Sequence, residues 1–307
     1  MQGLFEVLHT PPREWLRRLS GAQEHTVLAL RPLPPAEGTA PLPGLGAVPY
    51  TLPELPGTDP ADPLLVQQDG RRWLLYAAGE AEHRALYACP MEGTAPGEAR
   101  CVLQQDGLAA PVVFAWAGQC MLLCTAQQPR VLRLYRAAEF PTGWEPVCDL
   151  ELPWQTQAMV VLRVGADGVL LQCSEASAED AMQLRPRRAM LREEETGWQA
   201  TPEEAYNLQQ RAYGPAARCA GAVFEHDGQA VRPVAVNTQH RRDSYLQFLV
   251  RRGNSEVPMC AATPQNIVVQ GVQPGGCIGV AGYARDAVCE VLTLRLLREA
   301  PKGETTP

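Results

Sequence analysis

From residue 61 onward, the chain alternates between short apolar runs and turns. "PLLVQQDGRRWLLYA" is an apolar run, an Asp-Gly turn and a second apolar run. The same phrase returns as "PVVFAWAGQCMLLCT", "MVVLRVGADGVLLQC" and "GAVFEHDGQAVRPVA", with a fainter copy in "IVVQGVQPGGCIGVA". Runs of this length rich in Val, Leu and aromatics, split by a two-residue turn, predict β-hairpins. The turn glycines are Gly70, Gly118, Gly168, Gly228 and Gly276. They recur at a period of about fifty residues, as expected for a β-propeller whose blades each begin with a hairpin.

Third strands follow each hairpin: "RALYACP" (84–90), "VLRLYRA" (131–137), "MQLRPRRA" (182–189), "SYLQFLVR" (244–251) and "VCEVLTLRLL" (288–297). In "VLRLYRA" the side chains Val131, Arg133, Tyr135 and Ala137 fall on one face and Leu132, Leu134 and Arg136 on the other. Gly-Trp follows twice, in "FPTGWEPV" and "EETGWQAT". A turn leading into a Trp suits a fourth strand whose indole covers the seam between blades. The pattern therefore predicts an all-β, five-bladed propeller over residues 1–300. The last blade lacks an outer strand, and "HTVLALRP" (25–32) is expected to supply it and so remove an open edge. Residues 32–60 hold too many Pro and Gly for a helix or a central strand and predict an extended connection. Residues 301–307 form a polar tail. Only "PPREWLRRLSGA" (11–22) and "TPEEAYNLQQRAYG" (201–214) suggest helix.

Composition narrows the partners. The formal net charge is −7 with Lys and Arg in short runs only, which argues against a nucleic-acid partner, because phosphate binding wants a basic stripe. No apolar stretch reaches the eighteen residues of a membrane span, and the N-terminus lacks the charged start and long apolar core of a signal peptide. The expected location is the cytoplasm. The ten cysteines contain no CxxC pair and the five histidines are scattered, so the reading is buried free thiols and no metal or cofactor. Cys120 and Cys124, four apart on a strand, should share a face. There is no GxSxG, GxxxxGK[ST], HExxH or post-strand GxGxxG motif.

"VLRLYRAAEFPTGWEPVCDL" and "ARCAGAVFEHDGQAVRPV" resemble the five-bladed propeller domain at the N-terminus of plant glucosamine inositolphosphorylceramide transferases, which also occurs in bacterial sugar-processing proteins. That domain is similar in fold to the furanosidase superfamily, which includes glycoside hydrolase family 43. The resemblance spans roughly residues 60–300 and implies a sugar or glycan ligand in the central funnel. In family 43 the starts of the innermost strands carry the catalytic acids. Counting back from the turn glycines gives the matching ring here as Asp62, Ala110, a polar residue near Gln157, and Ala220. Asp62 matches the base position; Ala110 and the Gln157 region depart from the pattern. A second carboxylate would have to come from Glu175 or Asp243.

Asp62 also reads as an ordinary strand-start residue, since an Asp side chain bonds neighbouring backbone N–H groups. "FEHDG" (224–228) is chemically rich but reads as a hairpin turn. The polar stretch "RPVAVNTQHRRDSYLQF" (232–248) supplies Arg232, Asn237, His240, Arg241, Arg242 and Tyr245, which with Arg218 are the candidate ligand-binding residues. Arginine forks suit carboxylate or phosphate and tyrosine faces stack on sugar rings. Three readings stand: a carbohydrate-binding propeller with an eroded glycosidase ring, an active hydrolase with a recruited carboxylate, and a non-catalytic interaction scaffold.

Overall fold

The computed structural model describes residues 23–34, 41–43, 48–80, 83–128, 130–178, 183–210, 218–237, 244–253 and 255–298. Five antiparallel sheets form the blades of a β-propeller. Blade one is β2 (Ala61–Gln68), β3 (Arg71–Ala78), β4 (Ala85–Glu92) and β6 (Arg100–Gln104), with the two-residue β5 (Ala95–Pro96) beside β4. Blade two is β7 (Val112–Trp116), β8 (Gln119–Thr125), β9 (Val131–Glu139) and β10 (Gly143–Glu151). Blade three is β11 (Thr156–Gly165), β12 (Gly168–Ala176), β13 (Leu184–Glu194) and β14 (Gly197–Pro202), followed by one short helix, α1 (Glu204–Gln209). Blade four is β15 (Arg218–Cys219) and β16 (Phe224–His226), both paired with β17 (Gln229–Asn237), then β18 (Ser244–Arg252) and β19 (Ser255–Ala262).

The turn chemistry holds at three of the expected hairpins; in blade three Gly168 pairs with Gly165, so the chain turns through Ala166-Asp167 and Gly168 begins β12. Asp69-Gly70, Ala117-Gly118 and Asp227-Gly228 all have positive φ at both central positions, the conformation that matches the twist of paired strands. "FEHDG" is thus a hairpin turn.

Blade five departs from the repeat. It has three strands: β20 (Cys277–Arg285), β21 (Cys289–Arg298) and, outermost, β1 (Gln23–Pro32). "VCEVLTLRLL" is its second strand, not its third, and Gly276 does not turn a hairpin. "IVVQGV" forms no strand. It is an irregular segment whose Ile267 and Val269 are buried, joined to Tyr50 by a single parallel bridge. The apolar alternation there reports packing against the blade rather than ladder pairing, which periodicity alone cannot separate. The N-terminal strand closes the ring as expected, pairing with β21 in continuous register from Gln23↔Arg298 to Pro32↔Cys289. The expected helix at 11–22 and the tail at 301–307 lie outside the described residues.

The seams follow the indoles. Trp144 of β10 sits in one apolar cluster with Leu75 and Leu86 of blade one, and Phe140 bridges edge-on to Trp73 and Trp144, each at 5.8 Å. Trp198 of β14 packs at 5.2 Å against Trp116 of blade two. Cys120 and Cys124 do share a buried face in the first of these clusters, and burial pushes the Cys124 thiol up to about 12. All ten cysteines are free, with Cys101 exposed.

One carboxylate ties blade five together. Glu290 of β21 is fully buried. Its Oε1 accepts from Tyr50 Oη at 2.5 Å and pairs with Arg31 of β1, and its Oε2 accepts from Tyr283 Oη of β20 at 2.8 Å. Removing one partner of a buried ion pair leaves the other charge uncompensated. Glu290→Ala is expected to cost about 3–5 kcal/mol, measured by denaturant unfolding. Tyr283→Phe, which removes one hydrogen bond and leaves the pair intact, is expected to cost about 1 kcal/mol.

Candidate functional site

The starts of the inner strands of blades one to four converge on the propeller axis. They enclose a cavity of about 70 Å³ lined by Asp62, Ala110, Pro111, Ala158, Ala220 and neighbouring Val, Leu and Met side chains. The ring counted from the turn glycines is therefore assembled, with Ala158 rather than Gln157 as the blade-three lining residue. The inner strand of blade four breaks between β15 and β16. The break carries Ala220 inward to accept from Tyr283 N–H at 2.6 Å, and a Cβ on Gly221 would lie 1.9 Å from Tyr283 O.

Asp62 stands on the cavity wall in a left-handed backbone conformation, φ 52°, and Ala110 repeats that conformation at φ 48°. Asp tolerates it through local hydrogen bonding; alanine gains nothing from it and bears its steric cost. The Ala110 position is fixed by the connection before β7. Thr125 Oγ1 donates to Gly107 O at 2.8 Å, Thr125 N–H donates to Ala109 O, Gln105 Nε2 donates to Thr125 O, and Leu108 is fully buried. The segment so held aims Ala110 N–H at Asp62 Oδ2, 3.3 Å away, and Arg84 Nη1 approaches the same oxygen at 3.8 Å. Asp62 is thus a carboxylate one-quarter exposed, with a backbone N–H and a distant guanidinium on one oxygen. Among the described residues, no second carboxylate lines this cavity.

Glu175 closes β12 beside the start of β11, on the same face of the propeller, but in a separate groove of about 350 Å³ shared with Trp154, Arg185 and Arg187. Arg185 grips both its oxygens at 2.5 and 2.8 Å and Arg187 donates to Oε2 at 2.5 Å. Burial alone would raise its pKa; the two guanidiniums outweigh it and hold the carboxyl below the usual glutamate range. It is an ionised anchor for two arginines. Arg187 Nη1 in turn donates to Asn207 O in α1 at 2.6 Å, and the Asn207 amide clamps the Arg188 backbone on both sides.

Arg232 lies away from the axis, in the seam between blades three and four, where Glu256 holds it. Arg218 and Tyr245 are half-buried on β15 and β18, and neither borders the axial cavity. Asn237 ends β17; His240, Arg241, Arg242 and Asp243 lie outside the described residues. Sequence reasoning missed Arg84, Arg185 and Arg187. Each stands at the start of, or within, a third strand, where spacing from the turn glycines says nothing of the axis. Among the described residues, no three His, Cys, Asp or Glu side chains group so as to hold a metal ion, and no helix is long and apolar enough to cross a membrane.

No family model and no curated protein sequence matches the chain. Solved structures do. An α-L-arabinofuranosidase from Podospora anserina, solved with cellotriose, superimposes with a TM-score of 0.51 at 10% identity, covering 78% of this chain and 90% of that one. A glycoside hydrolase of family 62, solved with xylotriose, gives 0.52 at 12% identity over 78% and 91%. The catalytic domain of a family 62 α-L-arabinofuranosidase from Coprinopsis cinerea gives 0.50 at 11% identity over 87% and 97%. The chain shares the five-bladed fold of the furanosidases.

Two predictions test these assignments. Asp62→Asn, which keeps a side chain that tolerates the left-handed backbone, is expected to change stability by less than about 1 kcal/mol, because a long hydrogen bond and an open ion pair contribute little; a larger loss in chemical denaturation would make Asp62 a structural strand-start residue. Glu175 has a depressed folded-state pKa, so its contribution to stability is present above the unfolded value and is lost as pH falls through the folded one. Glu175→Gln is therefore expected to flatten the loss of stability below about pH 4.3, read from melting temperatures across an acid series.

Proposed function

We propose that this protein is a carbohydrate-binding propeller on a furanosidase frame that does not hydrolyse its ligand. The observation that carries the reading is the lone carboxylate. Hydrolysis of a glycosidic bond needs two carboxyl groups, roughly 6.5–9.5 Å apart for inversion or about 5–5.5 Å for retention, because one must protonate the leaving oxygen while the other activates water or attacks. Among the described residues, Asp62 has no such partner on the cavity wall. Ala110 keeps the left-handed backbone of Asp62 and offers a methyl group in place of an acid. Glu175, one of the two recruits expected from the sequence, is already engaged by two arginines in its own groove.

Sugar binding is supported by the groove beside the mouth, where Trp154 borders planar polar groups on Glu175, Arg185 and Asn207. The volume of that groove falls in the usual range for small-ligand sites. The oligosaccharides bound in two of the solved neighbours favour the same ligand class. A second reading, an interaction scaffold, is favoured by the axis itself: a cavity of about 70 Å³ walled largely by Ala, Pro and Val offers few polar groups to a ligand.

The test pairs binding with turnover. Xylotriose and arabinotriose are expected to bind by calorimetry, to be recovered intact after prolonged incubation, and to bind several-fold more weakly to Arg185→Ala. Release of monosaccharide that stops in Asp62→Asn would overturn the reading and restore Asp62 as a base, with Asp243 the acid to examine next. No binding of any oligosaccharide would leave the scaffold.

A further inference from the structure

The seam between blades three and four is built differently from the two that indoles seal. The hairpins β13–β14 and β18–β19 both turn through two residues: Glu194 pairs with Gly197 and Glu193 with Trp198 in one, Arg252 with Ser255 and Arg251 with Glu256 in the other. Glu256 therefore occupies in blade four the place Trp198 occupies in blade three. Where the indole would pack, a carboxylate takes both nitrogens of Arg232 at 2.9 and 2.5 Å. The seam is left as a groove of about 640 Å³ between β12–β13, β17–β19 and α1, roughly nine times the axial cavity and within the range of small-ligand sites.

The groups around it are only partly used. Arg232 and Glu256 neutralise one another. Arg188 lies over the Tyr206 ring at 3.8 Å from its centroid, its Nε donates to Gln172 Oε1 at 3.3 Å, and its Nη1 makes a long ion pair of 3.8 Å with Glu203 Oε2. That oxygen is enclosed and accepts no hydrogen bond among the described residues. Arg251 reaches the rim, with its Nε donating to Gly253 O at 3.1 Å. Three guanidiniums against two carboxylates leave one positive charge in excess, on a chain whose net charge is −7. A single anionic group suits that excess, and guanidinium forks match carboxylate geometry. An enclosed carboxylate oxygen needs a donor, which a sugar hydroxyl supplies.

We propose that this groove is a binding site for a sugar that carries a carboxylate, a uronic acid, with the sugar's anion beside Arg188 and Arg251 and a hydroxyl donating to Glu203 Oε2. The site is separate from Asp62 and stands or falls without it.

The test uses one sugar with and without its acid. D-galacturonic acid and D-galactose are titrated by calorimetry into the wild-type chain, Arg188→Gln, Ala205→Trp and Asp62→Ala, with melting temperatures confirming that each variant folds. Ala205 is exposed and borders the groove, so the indole fills the mouth without removing a polar partner. The expected result is saturable millimolar binding of galacturonate, at least tenfold weaker binding of galactose, a tenfold or greater loss in both Arg188→Gln and Ala205→Trp, and no change in Asp62→Ala. Equal affinity for galactose, no saturable galacturonate binding, or affinity unchanged in Ala205→Trp would each overturn the site. Loss in Asp62→Ala alone would move acidic-sugar binding to the axial face and overturn it as well.

Discussion

A propeller stands or falls on closing its ring, and here closure runs through one buried carboxylate. Glu290 has three partners drawn from three places in the chain: Arg31 on the first strand, Tyr283 on the innermost strand of the same blade, and Tyr50 in the connection from β1 to blade one. The guanidinium also lies over the Tyr50 ring at 4.9 Å. A charge this deep is tolerated only when every lone pair is used. The cluster therefore specifies the position of β1 as much as it stabilises it. Any slip of β1 along β21 would strand Arg31 among apolar neighbours. The ten-residue ladder between β1 and β21 supplies hydrogen bonds in any nearby register; the ion pair selects one.

The seams distribute apolar area unevenly. Between blades one and two, and two and three, aromatic side chains fill the wedge that opens as sheets radiate from an axis. Between three and four, the same wedge holds Arg232, Glu256, Arg188 and Gln172. An indole in a wedge excludes water and adds packing; an ion pair in a wedge keeps water nearby and leaves polar edges facing a void. The contrast arises from one hairpin position, Trp198 in one blade and Glu256 in the next, so a local exchange of side chain changes a packed seam into a groove without disturbing strand order.

At the axis, the frame and the chemistry separate. The backbone that presents a side chain at the start of each inner strand is intact, down to the shared left-handed conformation of Asp62 and Ala110. The side chains on it are mostly methyl groups and prolines. Glycoside hydrolysis depends on a pair of carboxyls at a set spacing, so the frame by itself does not carry the chemistry. What remains at the mouth is a surface of arginines and one carboxylate suited to holding a polar ligand in place.

Much of the architecture was legible from residue order. Asp-Gly and Ala-Gly turns require positive φ, alternation at period two assigns faces, and Gly-Trp after a third strand marks the fourth; these are local rules, and they placed four blades and the strand-borrowing closure. They failed in "IVVQGV", where a buried irregular segment and a strand have the same apolar spacing, and so misassigned the inner strand of blade five. At the site, counting from the turns found the ring positions of Asp62, Ala110 and Ala220, because inner strands are of similar length. It did not reveal that Glu175 is held by Arg185 and Arg187, that Arg232 turns into a seam, or that Gly221 lets blade four lie close against Tyr283 of blade five. Those outcomes depend on side chains from strands far apart in sequence meeting across a closed ring, and only the tertiary structure sets which of them meet.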